Sequence, residues 1–490
     1  MSEAVATRHA YYSLPYAVSH RFFGTRGYVI LRDVAEVFIT THPHVTNETI
    51  SKAIALTPSL DRLMYFPGDD KGDADFAILA FRVFGVHIES LYHLWFAMYL
   101  AGIFAFVLAF WPREARLVAL CLLTLAVYVA FFALPLTFEL GSIQNPRAFG
   151  AVSLLAILHL SLEMLDRRRL TGRRLAAAAL QAALMAFSVD VRTSEWWQPL
   201  AVIGVGAWVL VRHRTGVKAL WPCAVLVLAL LGLDLYQRLA VDNVYEASNL
   251  RRRTLWHNVG IGFALNPTLA RTYSLSIDDL PMIRLVRRRL VDTNRANELD
   301  LVFRPAGLED YQYSGIAKDF ARYERVAREV VLSIIWNNKR EALWTFLVDK
   351  PRLLAMQLAW AMGYQGYTVD ELYLNGQIGF LVPERERPAK SIYLDVLRPW
   401  VLGGLVATVL LGGGVVQRRS EYTELGFLSL WICLASLLPV LAAYPIISAI
   451  GVVLVTVPFL MMAVVLSLFA TIAAFAPSRE VSPAFPARTP

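Results

Sequence analysis

Residues 250–267 read LRRRTLWHNVGIGFALNP. Arg251, Arg252 and Arg253 are suited to holding a phosphate through paired guanidinium hydrogen bonds. His257, whose side chain can take or give a proton near neutrality, joins them as a candidate donor-binding residue. Trp256 offers a flat face against which a sugar ring can pack, and Asn258 adds a polar contact to the same cavity. Gly260 and Gly262 permit close backbone approach. The Gly-x-Gly lacks the third glycine and the strand context of a dinucleotide-binding turn. The competing assignment is a basic segment that pairs with anionic lipid beside a membrane.

Carboxylates form a second group. The segment PGDDKGDAD, residues 67–75, carries Asp69, Asp70, Asp73 and Asp75 among glycines. Hard oxygen ligands at this density suit Mg²⁺ or Mn²⁺, with Asp69, Asp70 and Asp73 as the candidate ligands. The glutamate that completes a calcium loop at its twelfth position is missing. A solvated, helix-capping turn accounts for the same residues. Asp33, in LRDVAEVF, is either a base or a surface charge paired with a neighbouring arginine. In FSVDVRTSEWWQPL, Asp190, Arg192 and Glu195 stand between two apolar blocks. Arg192 is placed to meet an anionic headgroup. Trp196 and Trp197 fit an interfacial belt equally well, and Trp196 is also a candidate cavity wall. Asn145 and Arg147, in SIQNPRAF, are expected at the same membrane face, as candidate members of the same cavity.

Other chemistry has little foothold. There is no GxSxG, HExxH or P-loop. His42 and His44 have no acidic partner at metal spacing, and Asn47 opens an Asn-Glu-Thr sequon. Cys121, Cys223 and Cys433 lie inside apolar blocks and read as small buried hydrophobes.

The elements that must position these residues follow from composition. The chain has 490 residues, of which 57% are hydrophobic and 18% charged, with a mean hydropathy of +0.48. A soluble domain is less apolar and more charged. The excess sits in blocks of about 20 residues, the length that crosses a bilayer. Approximate spans are 90–111, 117–138, 148–165, 175–190, 196–212, 219–238, 397–416, 424–443 and 447–475. The fourth reads as short and interrupted. The expected fold class is an all-α integral membrane protein with about nine transmembrane helices, plus amphipathic helices in two outward segments. The net charge of +8 comes largely from arginines in short loops. No basic-aromatic array accompanies it, so no nucleic-acid partner is expected.

Loop charge sets the orientation. The loops DRRRLTGRR, RHRTGVK and QRRSE are basic and belong on the cytoplasmic side, whereas ELGSIQNPR, DVRTSE and AAYP belong opposite. Residues 1–88 then form an outward N-terminal segment with the acidic loop, and 89–238 a transmembrane bundle. Residues 239–395 form a large periplasmic or lumenal loop, 396–476 the last spans, and 477–490 a cytoplasmic tail. The expected location is the inner (plasma) membrane. An outward 1–88 needs either a span upstream of it or export by the first span that follows, and we expect the former. Within residues 314–362, the pattern predicts two amphipathic helices with a break near 337–339, suited to a membrane surface.

This layout resembles the GT-C class of membrane glycosyltransferases, which use polyprenyl-phosphate sugars. The segments WHNVGIGFALNP and LLPVLAAYP also look like those of bacterial multi-pass proteins of that type. The resemblance implies a polyprenyl-phosphate-linked sugar as partner, alongside the lipid bilayer. It also implies an acidic residue of the first outer loop as base or acceptor-aligning group. The matching positions are Asp33 or the pair Asp69 and Asp70. The class opens with a spanning helix before that loop, which this sequence does not display. The rival readings are a transporter or flippase of a lipid-linked anion and a non-catalytic assembly subunit.

Overall fold

A computed structural model describes residues 8–25, 29–41, 45–60, 62–65, 71–111, 115–128, 152–166, 169–213, 217–240, 255–276, 279–303 and 319–354, with isolated residues between 428 and 461. The described chain is mostly helical. The expected all-α class needs one correction. Val29–Leu31 (β1) and Leu63–Tyr65 (β2) pair antiparallel, with Ile30 opposite Met64. Three-residue strands this far apart leave no periodic signature in sequence.

Four helices belong to the N-terminal region: α1 (Arg8–Phe23), α2 (Arg32–Thr41), α3 (Asn47–Ile54) and α4 (Lys71–Phe84). The apolar helices follow: α5 (Glu89–Phe110), α6 (Ala115–Tyr128), α7 (Leu154–Leu165), α8 (Gly172–Val191), α9 (Trp197–His213) and α10 (Trp221–Ala240). Then come α11 (Leu255–Gly262), α12 (Pro267–Tyr273), α13 (Asp279–Asp292), α14 (Phe320–Asn337) and α15 (Lys339–Trp344), the last leading into a π-helical turn, Thr345–Asp349.

Among the described residues, three helices are long and apolar enough to cross a membrane: Glu89–Phe110, Gly172–Val191 and Lys218–Ala240. Leu154–Leu165 and Trp197–Val211 are apolar but shorter. The expected spans at 397–416, 424–443 and 447–475 lie almost wholly outside the described residues. The block read as interrupted is one continuous helix, α8. Its N-cap Thr171 accepts the Arg174 N–H, and its alanines kept the apolar signal low.

Those alanines make α8 the hub of the bundle. It packs against α4, α5, α7 and α10, with Ala177, Ala178, Ala182 and Ala186 buried. Small side chains let helices approach closely. The Gln181 amide donates 2.8 Å to the carbonyl of Gly102 on α5. By contrast α10 turns Leu228, Leu231, Leu235 and Leu239 outward, all more than half exposed. An apolar face of that kind is what lipid covers.

A second core lies beyond the bundle. It joins Ile261, Phe263, Met282, Val286, Tyr323, Val331 and Ile334 of the later helices to Tyr16, Ile30, Ala35 and Ala74 of the N-terminal region. The first two turns of α4 therefore bridge both cores, because Ala74 packs into the second while Phe76 and Ala77 pack into the first.

Candidate functional site

Charged and polar side chains converge where α4 begins and where α8 and α10 end. Gly72 sits so close to α8 that a Cβ there would stand 2.3 Å from the Asp190 carbonyl carbon and the Val191 nitrogen. Only glycine permits this approach. Asp73 and Asp190 are buried at the contact. The Tyr236 hydroxyl donates 3.3 Å to Asp75 Oδ1, and the Gln237 amide donates to Asp190 Oδ1. Arg192 forms the C-cap of α8 at the same end. Asp69 and Asp70, directly upstream of α4, lie outside the described residues, as do Asn145, Arg147, His42, His44 and Cys433.

Glu195 is fully buried one turn further on. Its Oε2 accepts from Trp197 Nε1 at 3.0 Å and from Gln198 Nε2 at 2.8 Å. Trp196 is 44% exposed, as a belt tryptophan would be, and does not wall this cluster.

Asp33 has a different setting. Its Oδ2 accepts the Ser59 N–H at 2.8 Å, and its Oδ1 takes Arg62 at 2.5 Å. Glu36 holds the other Arg62 nitrogen at 3.3 Å. Both Asp33 oxygens are thus engaged in clasping the 55–62 stretch to α2. The Asn47 side chain bridges to α5. Its Nδ2 donates to Glu89 Oε2 at 3.0 Å and its Oδ1 accepts the Ile88 N–H at 2.8 Å.

The WHNVGIGFALNP stretch forms α11, a 3₁₀ turn and the start of α12, deep in the second core. His257 is 2% exposed. Its Nδ1 lies 2.5 Å from the Tyr323 hydroxyl and its Nε2 3.0 Å from Asp279 Oδ1. Burial, with the charges of Glu324 and Asp279, holds the Tyr323 phenol well above its ordinary range. A carboxylate only accepts, so Nε2 donates to Asp279 and Nδ1 is left to pair with the Tyr323 hydroxyl. Glu324 accepts the backbone N–H groups of Trp256 and His257 at 2.7 and 3.1 Å. Burial raises its pKa, while those N–H groups pull it back down. The open N-terminus of α11 is thus filled by the chain's own carboxylate rather than left for an external anion. Trp256 is half-buried with the Arg328 guanidinium 5.8 Å above its ring, and Asn258 is partly covered. Asn266 caps α12 by accepting the Thr268 and Leu269 N–H groups and donates to Asp349 at 3.2 Å. Arg251, Arg252 and Arg253 lie outside the described residues.

Three clusters had escaped the sequence reading. At the opposite end of the bundle, Arg174 pairs with Glu163, and with Asp166 at 3.2 Å. Glu163 Oε1 stands 3.8 Å from His159. All but Asp166 are buried. A histidine and a glutamate four residues apart inside an apolar block were the available signal. A cavity of about 390 Å³ is lined by Arg295, Glu298, Arg322 and Arg325. Arg295 pairs with Glu298 at 2.9 Å and Glu329 at 3.1 Å, and Arg322 with Asp319 at 3.2 Å. Finally, Lys350 is fully buried, which drops its pKa to about 8, and its Nζ lies 4.3 Å from the Phe346 ring centre. Among the described residues, no three His, Cys, Asp or Glu side chains are arranged to hold a metal ion.

The class that fold and site define is a protein whose described residues are mostly helical, with three helices among them long and apolar enough to cross a membrane and a carboxylate-rich cluster where two of these end. No protein-family model, curated protein or solved structure matches the chain.

Proposed function

We propose that this chain is a multi-pass membrane glycosyltransferase that moves a sugar from a polyprenyl-phosphate donor to an acceptor hydroxyl. One observation carries the reading. The first turn of α4, immediately after the Asp69–Asp70 pair, is held against the ends of α8 and α10 through Gly72, Asp75 and Asp190. That contact sets Asp75 beside α10, whose outward leucines we read as lipid-facing. An isoprenoid tail has an apolar surface to lie along on α10, and its phosphate then falls at the polar end.

The chemistry follows from the groups present. A carboxylate of the acidic segment, Asp69 or Asp70, accepts the proton of the acceptor hydroxyl. The hydroxyl oxygen bonds to the anomeric carbon as the bond from that carbon to the phosphate oxygen breaks. Polyprenyl phosphate leaves, and Arg192 with Arg251, Arg252 and Arg253 stabilises its charge. If a divalent cation takes part, Asp69, Asp70 and Asp73 are its ligands. In this reading about nine spans cross the inner (plasma) membrane, with residues 1–88 and 239–395 on the outer side.

Donor binding tests the assignment. Loss of a charge-assisted hydrogen bond costs about 1.5–3 kcal/mol, so Arg192→Ala in the full chain should weaken binding of a polyprenyl-phosphate sugar roughly tenfold or more. Unchanged affinity in Arg192→Ala, and in alanine variants of Arg251, Arg252 and Arg253, contradicts it. A transporter of a lipid-linked anion is the second reading. It is supported by His159, Glu163 and Arg174, ionisable groups buried among apolar helices, a setting associated with transport paths. Donor movement across a bilayer without sugar transfer would favour it.

A further inference from the structure

The outer face of α14, α15 and the π-helical turn gathers large apolar side chains next to one another. Trp336 is 73% exposed, Leu347 65%, Leu343 60% and Trp344 51%, with Leu332 beside them. Such large apolar side chains are normally covered. Their inner neighbours Val331, Ile334 and Ala342 are already packed in the second core, so the helices cannot turn to hide both faces.

The charges on this face have one sign. Between 332 and 352 the exposed charged residues are Lys339, Arg340 and Arg352, whereas Glu341 and Asp349 are partly covered. Lys339 Nζ sits 4.0 Å above the Trp336 ring centre. It spans the helix break at Asn338 and keeps cation and indole on the same side. Exposed tryptophans and leucines interleaved with cations, with no exposed carboxylate, match the boundary between anionic headgroups and acyl chains. A two-fold contact with a second copy would instead bring Lys339 and Arg340 against their own like charges. The same polypeptide carries helices long enough to cross a bilayer, so a lipid surface is at hand.

We infer that α14 and α15 dock on the bilayer surface, with Trp336, Leu343, Trp344 and Leu347 seated below the headgroups and Lys339 and Arg340 on lipid phosphates. This seat is independent of sugar transfer and survives if that activity is absent.

Spin-label accessibility tests it on the full chain. Cys121, Cys223 and Cys433 are replaced by alanine, and a nitroxide is attached at Leu343→Cys or, separately, at Leu347→Cys. The protein is placed in nanodiscs of mixed zwitterionic and anionic lipid. At both sites oxygen should reach the label and a water-soluble nickel chelate should not. A control label at Arg284→Cys, exposed on α13, should stay open to nickel. Adding Trp336→Glu and Trp344→Glu should restore nickel contact at 343. Labels as open to nickel as the one at 284 overturn the proposal. So do labels closed to both reagents, as in a protein–protein contact.

Discussion

The Tyr323 hydroxyl lies 2.5 Å from His257 Nδ1, and neither residue is more than 2% exposed. One histidine, with both ring nitrogens engaged, ties α11 to α14 through Tyr323 and to α13 through Asp279. Tyr323→Phe keeps the ring and leaves a buried Nδ1 without its hydrogen-bond partner. A loss of about 1–3 kcal/mol is expected, read as faster amide exchange across 255–262 and 320–337. Asp279→Asn should cost less, because that carboxylate is 32% exposed.

Glu324 should distinguish charge from hydrogen bonding. Its folded pKa is raised, chiefly by burial. The folded state then holds the proton more tightly than the unfolded state, so the contribution to stability falls as pH rises through that raised value. Glu324→Gln should flatten this dependence in thermal unfolding as pH is raised above the ordinary carboxylate value of about 4.3. Glu324→Ala strands two N–H groups at the start of α11 and should be the worse variant at every pH.

Lys350 has the opposite sign. Its folded pKa is about 8 against an ordinary 10.5. Between those values the unfolded chain binds more protons, so stability rises with pH across that window. Lys350→Met should abolish the rise in a series of unfolding midpoints from pH 7 to pH 10.5. An identical slope in the variant assigns the rise to another group.

Gly72 reports on the junction between the acidic segment and α8. In Gly72→Ala the new Cβ meets backbone, which cannot rotate away, so α4 must shift. Overpacking of this kind costs about 1–3 kcal/mol. Gly232, with nothing within 4 Å of its Cβ position, is the control. Gly232→Ala should be neutral, or stabilising by up to about 1 kcal/mol. Equal unfolding midpoints for the two variants would remove Gly72 from the junction.

Sequence made the long apolar helices legible because bilayer-length hydrophobicity needs no tertiary partner. The blocks at 90–111 and 219–238 coincide closely with Glu89–Phe110 and Lys218–Ala240. The break expected near 337–339 falls at Asn338. α8 was harder, since alanine packs well yet carries little hydropathy. The site was legible as residue types but not as partnerships. Asp33 finds Arg62 29 positions away, and His257 finds Tyr323 66 positions away. Nothing local distinguishes a histidine that will be buried from one that will meet substrate, so WHN looked like a reactive surface and folded into a core.

Sugar transfer by the purified full chain in a lipid bilayer is the most direct measurement. A polyprenyl-phosphate sugar is supplied, and wild type is compared with Asp33→Asn, Asp69→Asn and Asp70→Asn, one at a time. The asparagine keeps the shape and removes the base. Loss of about 10²–10⁴-fold in turnover is expected in Asp69→Asn or Asp70→Asn, with donor affinity unchanged. Asp33→Asn should weaken the clasp on Arg62 and leave turnover near wild type. Full turnover in all three variants, or a wild type that binds the lipid and never transfers its sugar, contradicts the proposed function.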